Sequence, residues 1–159
     1  PTKVKVLFIA ESPPPVKRRT FFYLAKSFVY NYTKQAACRV YGESINKDPD
    51  FLYFFKDKGC YLEDLSSLPS NIKEIKENKE YYIVNLSEKI KKDSPQSIII
   101  IGIEAGKIIK EAVELSGILD KIENDLIFEV PFAGNGSQNK YMDGVEAALR
   151  KLISEGILD

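Results

Sequence analysis

Histidine is absent from the 159 residues. That excludes Ser-His-Asp and Cys-His catalysis and removes the commonest zinc ligand. A metal site would have to be all-carboxylate, and no spaced Asp/Glu loop of the calcium-binding kind occurs. Neither a metal nor a cofactor is expected. Cys38 and Cys60 are the only cysteines. They read as reduced thiols of a cytoplasmic protein, with a disulfide between them as the alternative. No apolar run is long enough to cross a bilayer, so no membrane partner is expected. The formal net charge is zero. A dedicated nucleic-acid binder is usually basic overall, so any such role needs a local patch.

What is present begins with Val4-Lys5-Val6-Leu7-Phe8-Ile9-Ala10-Glu11-Ser12-Pro13-Pro14-Pro15. Residues 4–9 are almost unbroken apolar, as in a strand buried on both faces of a parallel sheet. Three prolines then end the strand and stiffen the loop. Glu11 therefore sits on a rigid loop at a strand's carboxyl end, where open α/β sheets hold their ligands. Lys17, Arg18 and Arg19 follow, and then Phe21, Phe22 and Tyr23. Acid, cations and aromatic faces are thus expected around one strand end.

The rest of the chain alternates helix and strand. Thr20 is placed to cap a helix over 20–32, with Phe21, Ala25, Phe28, Val29 and Tyr32 at core spacing. Residues 36–53 pass from a loop into a short helix starting at Asp48 and Pro49 and ending at Gly59. A second strand covers 60–65 and ends in acids. Asn71 and Glu74 open a long amphipathic helix to about residue 92. Residues 97–101 form the strongest strand and lead through Gly102 into a helix closed by Gly117. Gly102 to Lys107 is one residue short of a phosphate-binding loop and reads as close strand-to-helix packing. A fourth strand spans 126–130, followed by a polar loop containing Gly134, Asn135, Ser137 and Gln138. A last helix runs from about 139 to 155. Helices between strands imply parallel pairing. The expected fold is a single α/β domain over 1–159, a three-layer α/β/α sandwich on a central four-stranded parallel sheet. All four strand ends, at Glu11, Asp64, Gly102 and Phe132, would share one edge.

These strand ends resemble those of the uracil-DNA glycosylase superfamily, and the chain looks like a divergent member. One branch of that family carries Gly-Glu-Ala-Pro-Gly at the end of its first strand, and Ala10-Glu11-Ser12-Pro13-Pro14 is similar to it. Ile98 to Gly102 with Ala105 resembles its apolar strand ending in glycine. Residues 131–137 occupy the place of its last motif. The resemblance implies a four-stranded uracil-DNA glycosylase-like fold acting on DNA, single- or double-stranded. It implies a base stacked on Phe21, Phe22 or Tyr23 and read at its edge by Asp64, where the family has asparagine. The last motif lacks its histidine, and the four cysteines of the family's iron–sulfur branches are not present.

On this reading Glu11 orients a water or stabilises an oxocarbenium-like sugar while the bond to a damaged or deaminated base is hydrolysed. Ser12, Pro13, Phe21, Phe22, Asp64, Gly134 and Asn135 would contact the substrate. Lys17, Arg18, Arg19, Ser137 and Gln138 would contact the nucleic-acid backbone. Each has a plainer reading. Glu11 could cap a helix or pair with Arg18, at least one of Phe21 and Phe22 could be core, the basic triplet could be a solvated turn, and Asp64 an ordinary strand end. The alternative function is a non-catalytic nucleic-acid or nucleotide binder on the same scaffold. Whether the protein is an enzyme, and its oligomeric state, stay open at this point.

Overall fold

A computed structural model describes residues 2–12, 22–24, 27–47 and 50–159. Four strands, β1 (Val6–Ala10), β2 (Cys60–Asp64), β3 (Ser97–Ile101) and β4 (Ile127–Val130), form one sheet in the order β2-β1-β3-β4. Every pairing is parallel. The two strands with unbroken apolar runs, β1 and β3, lie in the middle and are buried at all five positions. A strand sandwiched between two helical layers has no solvent face on which to place polar residues.

The helices are α1 (Phe28–Tyr41), α2 (Asp50–Asp57), α3 (Ile72–Glu77), α4 (Lys79–Asp93), α5 (Glu104–Ser116) and α6 (Gln138–Ser154). Strand alternation divides the core. Val6, Phe8 and Ala10 pack with α1, α2 and α6, while Leu7 and Ile9 pack with α3, α4 and α5. This is the three-layer α/β/α sandwich expected from the sequence. Across the first layer the Thr33 and Tyr141 hydroxyls bond at 2.6 Å, joining α1 to α6.

The local signals hold where they are strongest. Asn71 and Glu74 form a reciprocal capping box. Gly117, in the left-handed region at φ 76°, closes α5. The expected long helix from Asn71 is instead two, α3 and α4, parted at Asn78. The helix expected over 20–32 is displaced. It runs over Phe28–Tyr41, capped by the Ser27 hydroxyl, which accepts from the Tyr30 N–H at 2.9 Å. The segment read as a loop from residue 36 is therefore largely helical. Shifting the start turns the helix on its axis, so Tyr30, Thr33, Ala36 and Ala37 face the core and Phe28 does not. Thr20, Asp48 and Pro49, read as helix starts, lie outside the described residues. Cys38 and Cys60 are both buried and free. Among the described residues no helix is long and apolar enough to cross a membrane.

Strand β2 is at the sheet edge, and Tyr23 covers part of that edge. Its hydroxyl accepts from the Leu62 N–H at 2.7 Å and donates to the Leu62 carbonyl at 3.1 Å. One side chain thus satisfies both outward backbone groups of one residue. Tyr23→Phe is expected to lower stability by about 1–2 kcal/mol, since water replaces these bonds only in part. A thermal melt showing a drop of roughly 2–6 °C would bear this out, and an unchanged midpoint would contradict it.

Candidate functional site at the carboxyl edge of the sheet

The strand order places a topological switch point between β1 and β3. The connection leaving β1 runs through α1 and α2 on one face to β2. The connection leaving β3 runs through α5 on the other face to β4. Open α/β sheets bind ligands in the crevice that such opposed crossovers leave at the strands' carboxyl ends. Glu11 follows β1 directly, and Gly102 to Glu104 follow β3.

Glu11 is held by continued sheet pairing. The Leu65 N–H donates to the Ala10 carbonyl at 2.7 Å, and the Ser66 N–H to the Glu11 carbonyl at 2.9 Å. Beyond it, the Ser12 hydroxyl donates to the Ser70 carbonyl at 2.8 Å. The Ser66 and Ser70 hydroxyls lie 3.0 Å apart. The start of the loop after β1 is thereby stitched to the loop after β2. The carboxylate of Glu11 is half-buried. Burial, and then the charge of Glu104, raise its pKa above the ordinary value. Glu104 stands in the first turn of α5 and pairs with Lys76 of α3 at 3.4 Å.

Asp64 ends β2 opposite Ala10. By strand alternation it shares Ala10's face of the sheet, whereas Glu11, one residue on, takes the other. Burial first and the charge of Glu63 second push the Asp64 carboxyl from 3.8 up to about 7, with Lys89 opposing. Glu63 itself is held by Lys89 at 3.1 Å. The folded state thus keeps a proton on Asp64 that the unfolded chain releases near pH 4. Stability contributed by that proton is full below about pH 4, falls as pH rises, and is gone above about pH 7. Asp64→Asn is therefore expected to stabilise the protein by about 1–3 kcal/mol at pH 8 and hardly at all at pH 4. Urea titrations at the two pH values check this, and an equal effect at both would refute it.

After β4 the chain makes a tight turn. Asn135 and Gly136 both have positive φ, 55° and 85°, and the Ser137 N–H donates to the Gly134 carbonyl at 3.1 Å. Two positive-φ residues at the centre are what a type I′ turn requires. Asn135 is exposed, Ser137 and Gln138 are half-buried at the start of α6, and Gly134 is buried. Along the strand order the edge therefore carries Asp64, then Glu11 and Ser12, then Gly134, Asn135, Ser137 and Gln138, with Asp64 and Glu11 on opposite faces.

Phe22, expected to stack on a base, belongs to the core instead. It is only 6% exposed and packs against Tyr23, Tyr30 and Phe55, with ring centroids 5.1 to 5.6 Å away. A ring enclosed by three others serves as core and offers no open face to a base. Pro13, Lys17, Arg18, Arg19 and Phe21 lie outside the described residues. The reading of the sequence missed Phe28 and Phe132, which are the exposed rings beside Gly134. The serine cap at Ser27 was the available signal, because it sets the helix start that turns Phe28 outward. Among the described residues no group of three acidic or cysteine side chains is placed to hold a metal ion. No family model matches the chain, and no characterised protein matches it in sequence.

Proposed function

We propose that this protein is a DNA glycosylase-like hydrolase that cleaves the N-glycosidic bond of a damaged or deaminated base, uracil or a related one. The observation that carries the reading is Glu11, half-buried at the carboxyl end of a central strand and beside the switch point of the sheet. As the bond between the anomeric carbon and the base nitrogen breaks, the base leaves with the bonding pair. Positive charge develops on the sugar. Glu11 in its ionised form stabilises that charge and orients a water whose oxygen bonds to the anomeric carbon. The water's proton passes to the carboxylate, and a carboxylate whose pKa is raised is the better base for it. Asp64, held partly protonated, offers a base edge one donor and one acceptor, as an amide side chain would.

The experiment is a single-turnover assay on single- and double-stranded oligonucleotides containing uracil, hypoxanthine or xanthine, comparing the wild type with Glu11→Gln. Abasic sites that form with the wild type and fail to form with the variant support the enzyme. A second reading, a binder that does not cleave, is favoured by one observation: without histidine the chain lacks the usual neutral-pH proton donor for a leaving base. Salt-dependent binding with no cleavage of any substrate would select it.

A further inference from the structure

Gly134 is a glycine for reasons of space. Its φ lies outside the left-handed region, so the backbone does not demand glycine. A Cβ at this position would lie 2.8 Å from Phe132 Cε1 and 3.0 Å from Phe28 Cδ2. Two rings, one from the first residue of α1 and one from just beyond β4, therefore close over a single Cα. Both are exposed, Phe28 at 55% and Phe132 at 45%. Tyr32, one turn further along α1, extends the surface, with its ring centroid 6.4 Å from that of Phe28 and the planes inclined by 31°.

The polar surroundings of these rings suit an anion. Helix α6 begins next to them and has no acidic residue in its first turn. Its leading N–H groups and the positive end of its dipole are met instead by Gln138, Asn139 and the exposed Lys140. Open π faces beside an anion-accepting helix start match the two halves of a nucleotide, a base and a phosphate. An apolar protein partner would use the rings and leave the cationic end unanswered. Position in the sheet sets the relation to Glu11. β4 is two strands from β1, which parts their ends by roughly 10 Å along the sheet. The rings stand on the α1–α6 face whereas Glu11 takes the other, so they lie farther from Glu11 than that. That is too far to hold the same base and leaves the rings to another nucleotide of the same strand.

We infer that Phe28 and Phe132, spaced by Gly134, form a stacking station for a second base of the strand whose target base is presented to Glu11, and that the protein therefore binds its strand unpaired. The inference rests on the nucleic-acid reading above. A paired strand would have to give up two bases at once, at a penalty of a few kcal/mol each, whereas a single strand gives them up freely. Stacking on aromatic side chains tolerates any base.

The test is fluorescence anisotropy with labelled dT12, alone and annealed to dA12, using the full chain. The wild type is expected to bind the single strand at least about tenfold more tightly than the duplex. Phe28→Leu and Phe132→Leu are each expected to weaken dT12 binding by about 5- to 100-fold. Gly134→Ala is expected to do the same although both rings remain, because the new methyl forces them apart. Tyr81→Leu, at an exposed ring of α4 on the opposite face, leaves binding unchanged. The two phenylalanines are exposed, so their variants keep the fold even if Gly134→Ala does not, and a melt verifies it. Equal affinity for single strand and duplex, or phenylalanine variants that bind within twofold of the wild type, would overturn the station. Ring-dependent binding of dT12, with no base released from the uracil, hypoxanthine or xanthine oligonucleotides, would leave the station standing and remove the glycosylase. Excision that is indifferent to the rings would do the reverse, and absence of both binding and excision would remove both.

Discussion

Glu11→Gln is expected to slow single-turnover base release by about 10²- to 10³-fold, the loss typical when one preorganised electrostatic group is removed from a transition state. The amide keeps the shape and hydrogen-bonding reach of the side chain. On the proposed mechanism it loses the negative charge that faces the developing oxocarbenium and the basicity that accepts the water's proton. Stability should move the other way. The Glu11 carboxylate is partly buried and lies in the field of Glu104, both of which disfavour its charged form. A neutral side chain relieves that penalty, so the melting point should stay level or rise. The same asymmetry predicts the pH dependence. A raised pKa means that the working carboxylate form accumulates later on a rising pH scale than for an ordinary glutamate. Excision should increase with pH until Glu11 is ionised. A variant that loses activity only because it unfolds would show a lowered melting point, and activity that survives in Glu11→Gln would dismiss Glu11 as the catalytic carboxylate.

Phe8→Ala is expected to cost about 3–5 kcal/mol, a drop of roughly 10–15 °C in the melting temperature. Phe8 is at the centre of β1, buried, with its ring 5.3 Å from that of Phe55. It also borders a cavity of about 10 Å³ lined by Tyr41, Phe51, Phe55 and Cys60 among others. Removing the ring joins its volume to a void already present. The neighbours are rigid aromatic rings on α1 and α2, which collapse poorly into the gap. Urea unfolding should give a lower midpoint with an unchanged slope. A loss below about 1.5 kcal/mol would mean that the two helices close in after all. Activity measured well below the melting point should persist. Glu11 is fixed by hydrogen bonds from Ser66 and through Ala10 from Leu65, and the Phe8 ring takes no part in them.

The buried strands and the strongest caps were legible because their causes are local. Unbroken apolar residues in β1 and β3 leave no solvent face, and the Asn71–Glu74 pair satisfies helix-end donors within one turn. Helix α1 was misplaced because two starts compete over a few residues, and hydrophobic spacing alone does not separate them. The Ser27 cap and the fit of Tyr30 and Tyr141 into one layer decide the frame. The site was legible in its acid and not in its aromatics. Glu11 follows from a strand and its prolines, all within one short stretch. Phe22 and Phe28 exchange roles once the helix is turned, so the ring expected to meet a ligand is core and the ring expected in the core is exposed.

The sequence by itself determined the layers, the parallel sheet and the placing of Glu11, Asp64, Gly102 and Phe132 at strand ends, because periodicity and chain punctuation act over a few residues. Only the tertiary structure decided the order β2-β1-β3-β4, and with it the switch point beside Glu11. It also decided the meeting of Phe28 with Phe132 over Gly134, residues more than a hundred positions apart. Strand order and ring contacts come from how whole helices pack across the sheet, and that packing energy is shared among segments no single stretch of sequence contains.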